Sequence, residues 1–327
     1  MISLLERLTQ TDGVSGNEDA VRDIIKNEIE KYCDDVTVDA MGNIIAHKSG
    51  TGKKIMLAAH MDEIGVIVTF IDDKGFLRFA PVGGLYIRDL TCRRVRFANG
   101  TVGVIGCEDD EKKPELKKLY IDIGAKNAKD AQKRVSVGDT AAFVGGYHKS
   151  RDTIVSKALD NRVGCYVALE SAKRLKESAA DMYYVFTTQE EVGLRGAKTA
   201  AYTVAPDYAI ALDVTDTGDT PEAPKMPVKL GGGAAIKVMD RSVLCDADIR
   251  ETMRAAAQKD GILYQLEIMT DGGTDAGAIH LSRGGVKTGG ISVPARYIHS
   301  PSEMVSDKDV KACIALAVST AQMLSGQ

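Results

Sequence analysis

The sequence predicts an α/β fold interrupted by a small β-rich insertion. Three observations carry this. Helical and strand-like segments alternate over residues 1–64. Over residues 65–154 they give way to short apolar runs broken by turn dipeptides, with no long helical period. From residue 155 to residue 327 the alternation returns. One domain is therefore expected over 1–64 and 155–327, with a second folded from 65–154.

The elements follow in order. Leu4, Leu5 and Leu8 suggest a short first helix. Val21, Ile24, Ile25 and Ile29 follow helical spacing, so a second helix is expected over 15–32, with Ser15 or Asn17 as its cap. The apolar run 54–59 reads as a buried strand ending at His60. In the insertion, Asp72-Asp73-Lys74-Gly75 separates strands at 66–71 and 76–79. Asn99-Gly100 between 94–98 and 101–105 is a strong two-residue hairpin signal. Residues 126–134 suit one short helix. Beyond 155, helices are expected at 162–178, 196–203, 247–259 and 310–324. Strands are expected at 181–188, 208–212, 262–268 and 286–293, and the Pro- and Asp-rich stretch 215–227 is a loop.

Composition narrows the function. A formal net charge of −4 offers no basic face for nucleic acid, and with no Trp a platform for stacking bases or sugars is not suggested. No apolar run approaches a membrane span, and the first residues lack the basic start and apolar core of a signal peptide. Cys33, Cys92, Cys107, Cys165, Cys245 and Cys313 form no CxxC pair. They read as reduced, mostly buried thiols of a cytoplasmic protein.

Five places carry chemistry: His60-Met-Asp62 at the end of a strand, Asp160-Asn161-Arg162 before a helix, Gln189-Glu190-Glu191 after a strand, Asp213 at a strand end, and His299-Ser-Pro301 after the 286–293 strand. Taken singly, each has an ordinary explanation. Asp160 could cap a helix, Asp213 could sit in a turn, and Glu190 and Glu191 could be a solvated pair. The two histidines could be structural. Together they would meet at the carboxyl edge of one sheet, where reactive groups gather in α/β folds. Imidazoles mixed with carboxylates suit a pair of divalent ions about 3.5–4 Å apart, with one carboxylate shared between them. Such a pair holds a hydroxide, polarises a carbonyl and needs a free carboxylate as base.

The runs Ala-Ala-His60-Met-Asp62-Glu63-Ile-Gly, Ala-Leu-Asp160-Asn161-Arg162, Gln-Glu190-Glu191-Val-Gly-Leu-Arg-Gly, Leu-Asp213-Val and Tyr-Ile-His299-Ser-Pro resemble one family. It is the dinuclear metallo-aminopeptidase family of the glutamyl, deblocking and tetrahedral aminopeptidases. Tyr120-Ile-Asp-Ile-Gly-Ala and Ser136-Val-Gly-Asp139 extend the likeness into the insertion. The resemblance implies a mixed-sheet α/β/α metallopeptidase domain with an inserted β-barrel-like domain that drives dimerisation. Six dimers would assemble into a tetrahedral particle. His60, Asp160 and Asp213 would hold one metal ion. Asp160, Glu191 and His299 would hold the other, with Asp160 bridging. Glu190 would be the general base in hydroxide attack on short peptide substrates, and Asp62 would orient His60. The Asp160–Asn161 bond is often cis in this family. Zinc, cobalt and manganese all suit such a site. One departure is in Val82–Asp89, where the commoner form has a Trp near Leu85.

Two rivals remain. One is a non-peptidase hydrolase, since relatives of this type have been labelled endoglucanases, although glycosidases need no metal pair. The other is a non-catalytic assembly protein stabilised by metal. The ligand-rich run Thr270–His280 reads as a Gly-rich turn before a short helix, with some role in substrate positioning possible from the family resemblance. Gly231-Gly-Gly233 lacks the phosphate-loop pattern.

Overall fold

The computed structural model describes residues 2–108, 114–176 and 179–326. The apolar run before His60 forms the strand Lys54–His60, inside an 11-stranded mixed sheet. It pairs parallel with Asp181–Thr187 on one side and Tyr208–Thr215 on the other. Tyr208–Thr215 pairs parallel with Lys287–Arg296 in turn. Antiparallel strands complete both edges. Ile44–Lys48 and Asp35–Val38 lie beyond Asp181–Thr187, and Glu303–Ser306, Thr153–Ser156 and His148–Lys149 lie beyond Lys287–Arg296. Ala234–Met239 joins Lys287–Arg296 antiparallel and carries Tyr264–Ile268.

Strand alternation divides the core into two layers. Ile55, Leu57 and Ala59 pack with the helices Leu4–Gln10, Asp19–Ile29, Leu159–Arg174, Ala247–Lys259 and Asp307–Ser325. Met56 and Ala58 face the other way, against Arg195–Val204 and Ala276–Ile279. Buried on both faces, the central strands read as continuous apolar runs. This is the expected mixed-sheet α/β/α arrangement.

Six antiparallel strands form the β-barrel, which is closed: Gly65–Ile71, Leu77–Val82, Leu119–Asp122, Val102–Cys107, Arg94–Phe97 and Thr140–Phe143. A hairpin turns at Asn99-Gly100, but its connection is longer than the expected two residues: one strand ends at Phe97 and the next begins at Val102. Gly100 has φ +86°, and the Phe97 N–H donates to the Thr101 carbonyl at 2.9 Å. Val66, Phe79, Val95, Phe97, Ile105 and Ile121 belong to a separate barrel core. The large sheet resumes at His148.

Several elements differ from expectation. The second helix covers only Asp19–Ile29, which puts Glu18 at its N-cap position, so neither Ser15 nor Asn17 caps it, and the Ser15 hydroxyl donates instead to Asp62 Oδ2 at 2.6 Å. The helix expected over 162–178 runs Leu159–Arg174, and residues 177 and 178 lie outside the described residues. The short helix near 126–134 is one turn, Ala128–Ala131, capped by Asn127. The sequence does not mark the short strands Asp35–Val38, Ile44–Lys48 and Glu303–Ser306. Of the cysteines, only Cys165, Cys245 and Cys313 are fully buried and Cys92 is exposed; all six are free thiols. No helix among the described residues is long and apolar enough to cross a membrane.

Candidate active site

His60 ends its strand directly opposite Thr187 on the parallel neighbour, so the turn carrying Glu190 and Glu191 starts beside it. Asp213 lies at the same end of the next parallel strand. Gln189 takes a left-handed φ of +56°, and the Glu190 carbonyl accepts from Gly193 and Leu194 N–H at 2.8 Å each, folding the turn tightly over the strand end.

Asp160 arrives from the opposite side. It is not the cap of its helix. Its φ/ψ of −75°/107° is non-helical and its peptide bond to Asn161 is cis. Asn161 does the capping, accepting from Gly164 N–H at 3.0 Å and donating to the Leu212 carbonyl at 2.8 Å. The two Asp160 oxygens face different imidazoles. Oδ1 is 3.2 Å from His60 Nε2, and Oδ2 is 3.4 Å from His299 Nε2. Asp213 Oδ1 is 3.7 Å and Glu190 Oε2 is 3.9 Å from His60 Nε2, and Glu191 Oε2 is 3.2 Å from His299 Nε2.

Asp62 lies under the turn and is fully buried. Its Oδ1 accepts from Glu190 N–H at 3.0 Å and is 3.4 Å from His60 Nδ1. Its Oδ2 accepts from Glu191 N–H at 3.2 Å as well as from Ser15. His60, Asp62, Asp160, Glu190, Glu191, Asp213 and His299 thus converge, whereas Arg162 turns to the carbonyls of Leu8, Thr11 and Met61 and His280 lines a separate hollow; the structure adds Ser15, Glu303 and the barrel loop at Gly83–Gly84. A Cβ at Gly84 would stand 3.1 Å from His299 Nδ1, so the barrel presses its backbone against the site. Glu303 could have been noticed as an acid four residues after His299; Ser15 and the glycines carry no such signal.

The site is rich in negative charge. Among the described residues, no lysine or arginine lies within ion-pair distance of Asp160, Glu190, Glu191 or Asp213. Burial opposes charge on His60, but Glu190, Asp160, Asp213 and Asp62 outweigh it and hold its pKa well above the usual value. Burial likewise opposes charge on His299, yet contact with Asp160 and Glu191 lifts its pKa to about 12. Burial, with Asp213, Glu191 and Asp275 nearby, raises Glu190 well above the usual carboxyl range. These shifts express one demand, for positive charge at the centre.

That demand fits a divalent cation. Donor atoms of His60, Asp160 and Glu191 lie within 4.8 Å of one another, as do those of His60, Glu190 and Asp213. Among the described residues, the buried Glu191 Oε1 has no hydrogen-bond partner. Imidazole nitrogen with carboxylate oxygen is a donor set for zinc and similar ions. The cluster floors a cavity of about 430 Å³, with Tyr86, Thr215, Met269, Asp271 and Thr274 among the lining residues. Asp271 and Thr274 come from the Gly-rich turn, and the helix that follows is short, Ala276–Ile279.

Comparison with known proteins agrees with this geometry. A family model described as M42 glutamyl aminopeptidase matches residues 42–316. A protein of Acetivibrio thermocellus that carries an aminopeptidase name is 53% identical over 321 residues, covering 97% of each chain. Among solved structures, the aminopeptidase APDkam598 from Desulfurococcus kamchatkensis superposes with a TM-score of 0.95 at 40% identity, over 98% of this chain and 94% of its own. The TET1 peptidase of Pyrococcus horikoshii, described as assembling into a tetrahedron or a large octahedral shell, gives a TM-score of 0.87 at 35% identity, over 97% of this chain and 98% of its own. This chain belongs to the M42 glutamyl aminopeptidase family.

Proposed function

We propose that this chain removes N-terminal residues from short peptides at a dinuclear metal centre. The observation that carries this reading is the way Asp160 divides its two oxygens between His60 and His299. His60 and Asp213 would complete one cation site with Asp160, and Glu191 and His299 the other. Zinc or cobalt suits the nitrogen and oxygen donors, and manganese is a third candidate. When bound, such ions acidify water and polarise the carbonyl of the scissile bond.

Glu190 is assigned as the general base. Asp62 fixes its backbone, while its carboxylate stands farther from His60 than those of Asp160 and Asp213 do. It would take the proton of the attacking water and pass it to the leaving amine. The surrounding wall of Tyr86, Thr215, Met269 and Thr274 would orient the peptide and exclude bulk water.

The barrel, Gly65 to Phe143, is assigned as a dimerisation domain within a homo-oligomer; the catalytic domain would span 1–64 and resume at His148, a few residues before the boundary at 155 expected from the sequence. Phe70 and Val137, 59% and 60% exposed, and the exposed Val102 and Val104 lie on barrel segments and offer apolar surface for a second copy. Two experiments test the reading. Amino-acid p-nitroanilides should be hydrolysed after cobalt or zinc is added to chelator-stripped protein. Absence of release with every side chain and metal, in folded protein, would sink it. Sedimentation should show a mass of at least a dimer.

A further inference from the structure

The buried carboxylate of Glu303 has no part in the reaction outlined above, yet it touches the backbone of two of the residues assigned to the centre. Its Oε2 accepts from Asp160 N–H at 2.8 Å, and its Oε1 accepts from His299 N–H at 3.0 Å. Only 2% of the residue is exposed. We infer that Glu303 is a positioning residue of the metal centre, holding the amides of Asp160 and His299 together so that their side chains meet. This rests on the metal-centre reading of the site.

The sheet explains why one residue can do this. Glu303–Ser306 lies between two strands. On one side it pairs with Thr153–Ser156, Glu303 standing opposite Ser156, and the chain then leads to Asp160. On the other side it pairs with the end of Lys287–Arg296, and that chain leads to His299. Glu303 therefore starts its strand between the two segments that deliver the ligands. Neither segment is in regular structure at its ligand. Asp160 is non-helical at a helix start, and Tyr297 and His299 both take left-handed φ values, +61° and +63°. Non-glycine residues hold such conformations only where surrounding contacts impose them. A carboxylate offers two acceptors to two N–H donors, and no neutral isostere does. In Gln, one acceptor becomes a donor, and an N–H must face an N–H.

The test uses the full-length protein loaded with zinc, read by chelator competition for each bound ion and by kcat and KM separately. Glu303→Gln should weaken one of the two ions by about 10–100-fold, the range for groups that orient metal ligands, with kcat falling and KM nearly constant. Glu303→Asp, which keeps both acceptor oxygens, should recover part of that loss. Unchanged affinity for both ions in folded Glu303→Gln overturns the inference, even if Tm falls. If that variant does not fold, Glu303→Ala, which removes both acceptors without adding a misplaced donor, decides: weakening of one ion supports the role, and two unchanged ions overturn it. A wild-type protein that binds no zinc would instead overturn the metal-centre reading itself.

Discussion

Asp62 and Glu303 brace the centre from opposite sides, by the same chemistry and over different paths. Each is buried, and each uses both carboxylate oxygens on groups that carry or neighbour ligands. Asp62 stands two residues from His60, on the same strand end. Its backbone carbonyl is 3.2 Å and its Oδ1 3.4 Å from His60 Nδ1, and its carboxylate collects the amides of Glu190 and Glu191. Glu303 reaches no ligand side chain. It works through the backbone of His299, four residues before it, and of Asp160, which is brought to it by strand pairing. The difference shows that the cluster is held at two levels. Side chains are aimed by a neighbour in sequence, and backbones are fixed by the sheet.

Neither brace touches the proton in flight, so the largest loss of turnover is expected at Glu190. Glu190→Gln should lower kcat by at least about 10²–10⁴-fold while metal content, measured by elemental analysis, stays at the wild-type level. Loss of an ion instead would make Glu190 a ligand on the Asp62 side, as its place near His60 and Asp213 also allows. Next come the two histidines assigned as ligands. His60→Ala and His299→Ala should each cut metal occupancy, and equal occupancy in both variants and wild type would remove them from the ligand set. Stripping metal should also lower Tm, since an ion at a hundred times its Kd stabilises the fold by about 2.7 kcal/mol per site.

The braces themselves come third. Asp62→Asn leaves one acceptor for the amides of Glu190 and Glu191 and should weaken metal binding by about 10–100-fold. Calorimetric titration checks this, and wild-type affinity would mean that the turn holds its own shape. Ser15→Ala removes one hydrogen bond to Asp62, worth about 1 kcal/mol, so chemical unfolding should show a loss of that order with little change in kcat. The smallest effect is expected where the barrel meets the site. Gly84→Ala places a methyl 3.1 Å from His299 Nδ1 and should raise KM by a small factor, read from steady-state kinetics.

Much of the molecule was legible in its sequence. The run before His60 had to be a strand because its apolar residues are continuous, and burial on both sheet faces requires that. Asn99-Gly100 marked a hairpin by its backbone tolerance alone. His60, Asp160, Glu190, Glu191, Asp213 and His299 each have an ordinary explanation taken singly; they stood out as a set expected at one sheet edge, and with Asp62 as the motifs of the family resemblance. What misled was the local rule taken alone. Ser15 has the composition of a helix cap, yet its hydroxyl is drawn to Asp62, and Asp160 has the place of a cap that Asn161 fills.

By itself, then, the sequence determined the alternation of elements and the residue types available at their ends, because both follow from periods of 2 and 3.6 residues and from side-chain chemistry. Only the tertiary structure decided that Asp160 would split its oxygens between His60 and His299. The same holds for Glu303 lying between the strands that deliver both ligands and for Gly84 closing against the site. Such contacts join residues far apart in the chain. They depend on which strands pair and in what register, and no local period encodes that.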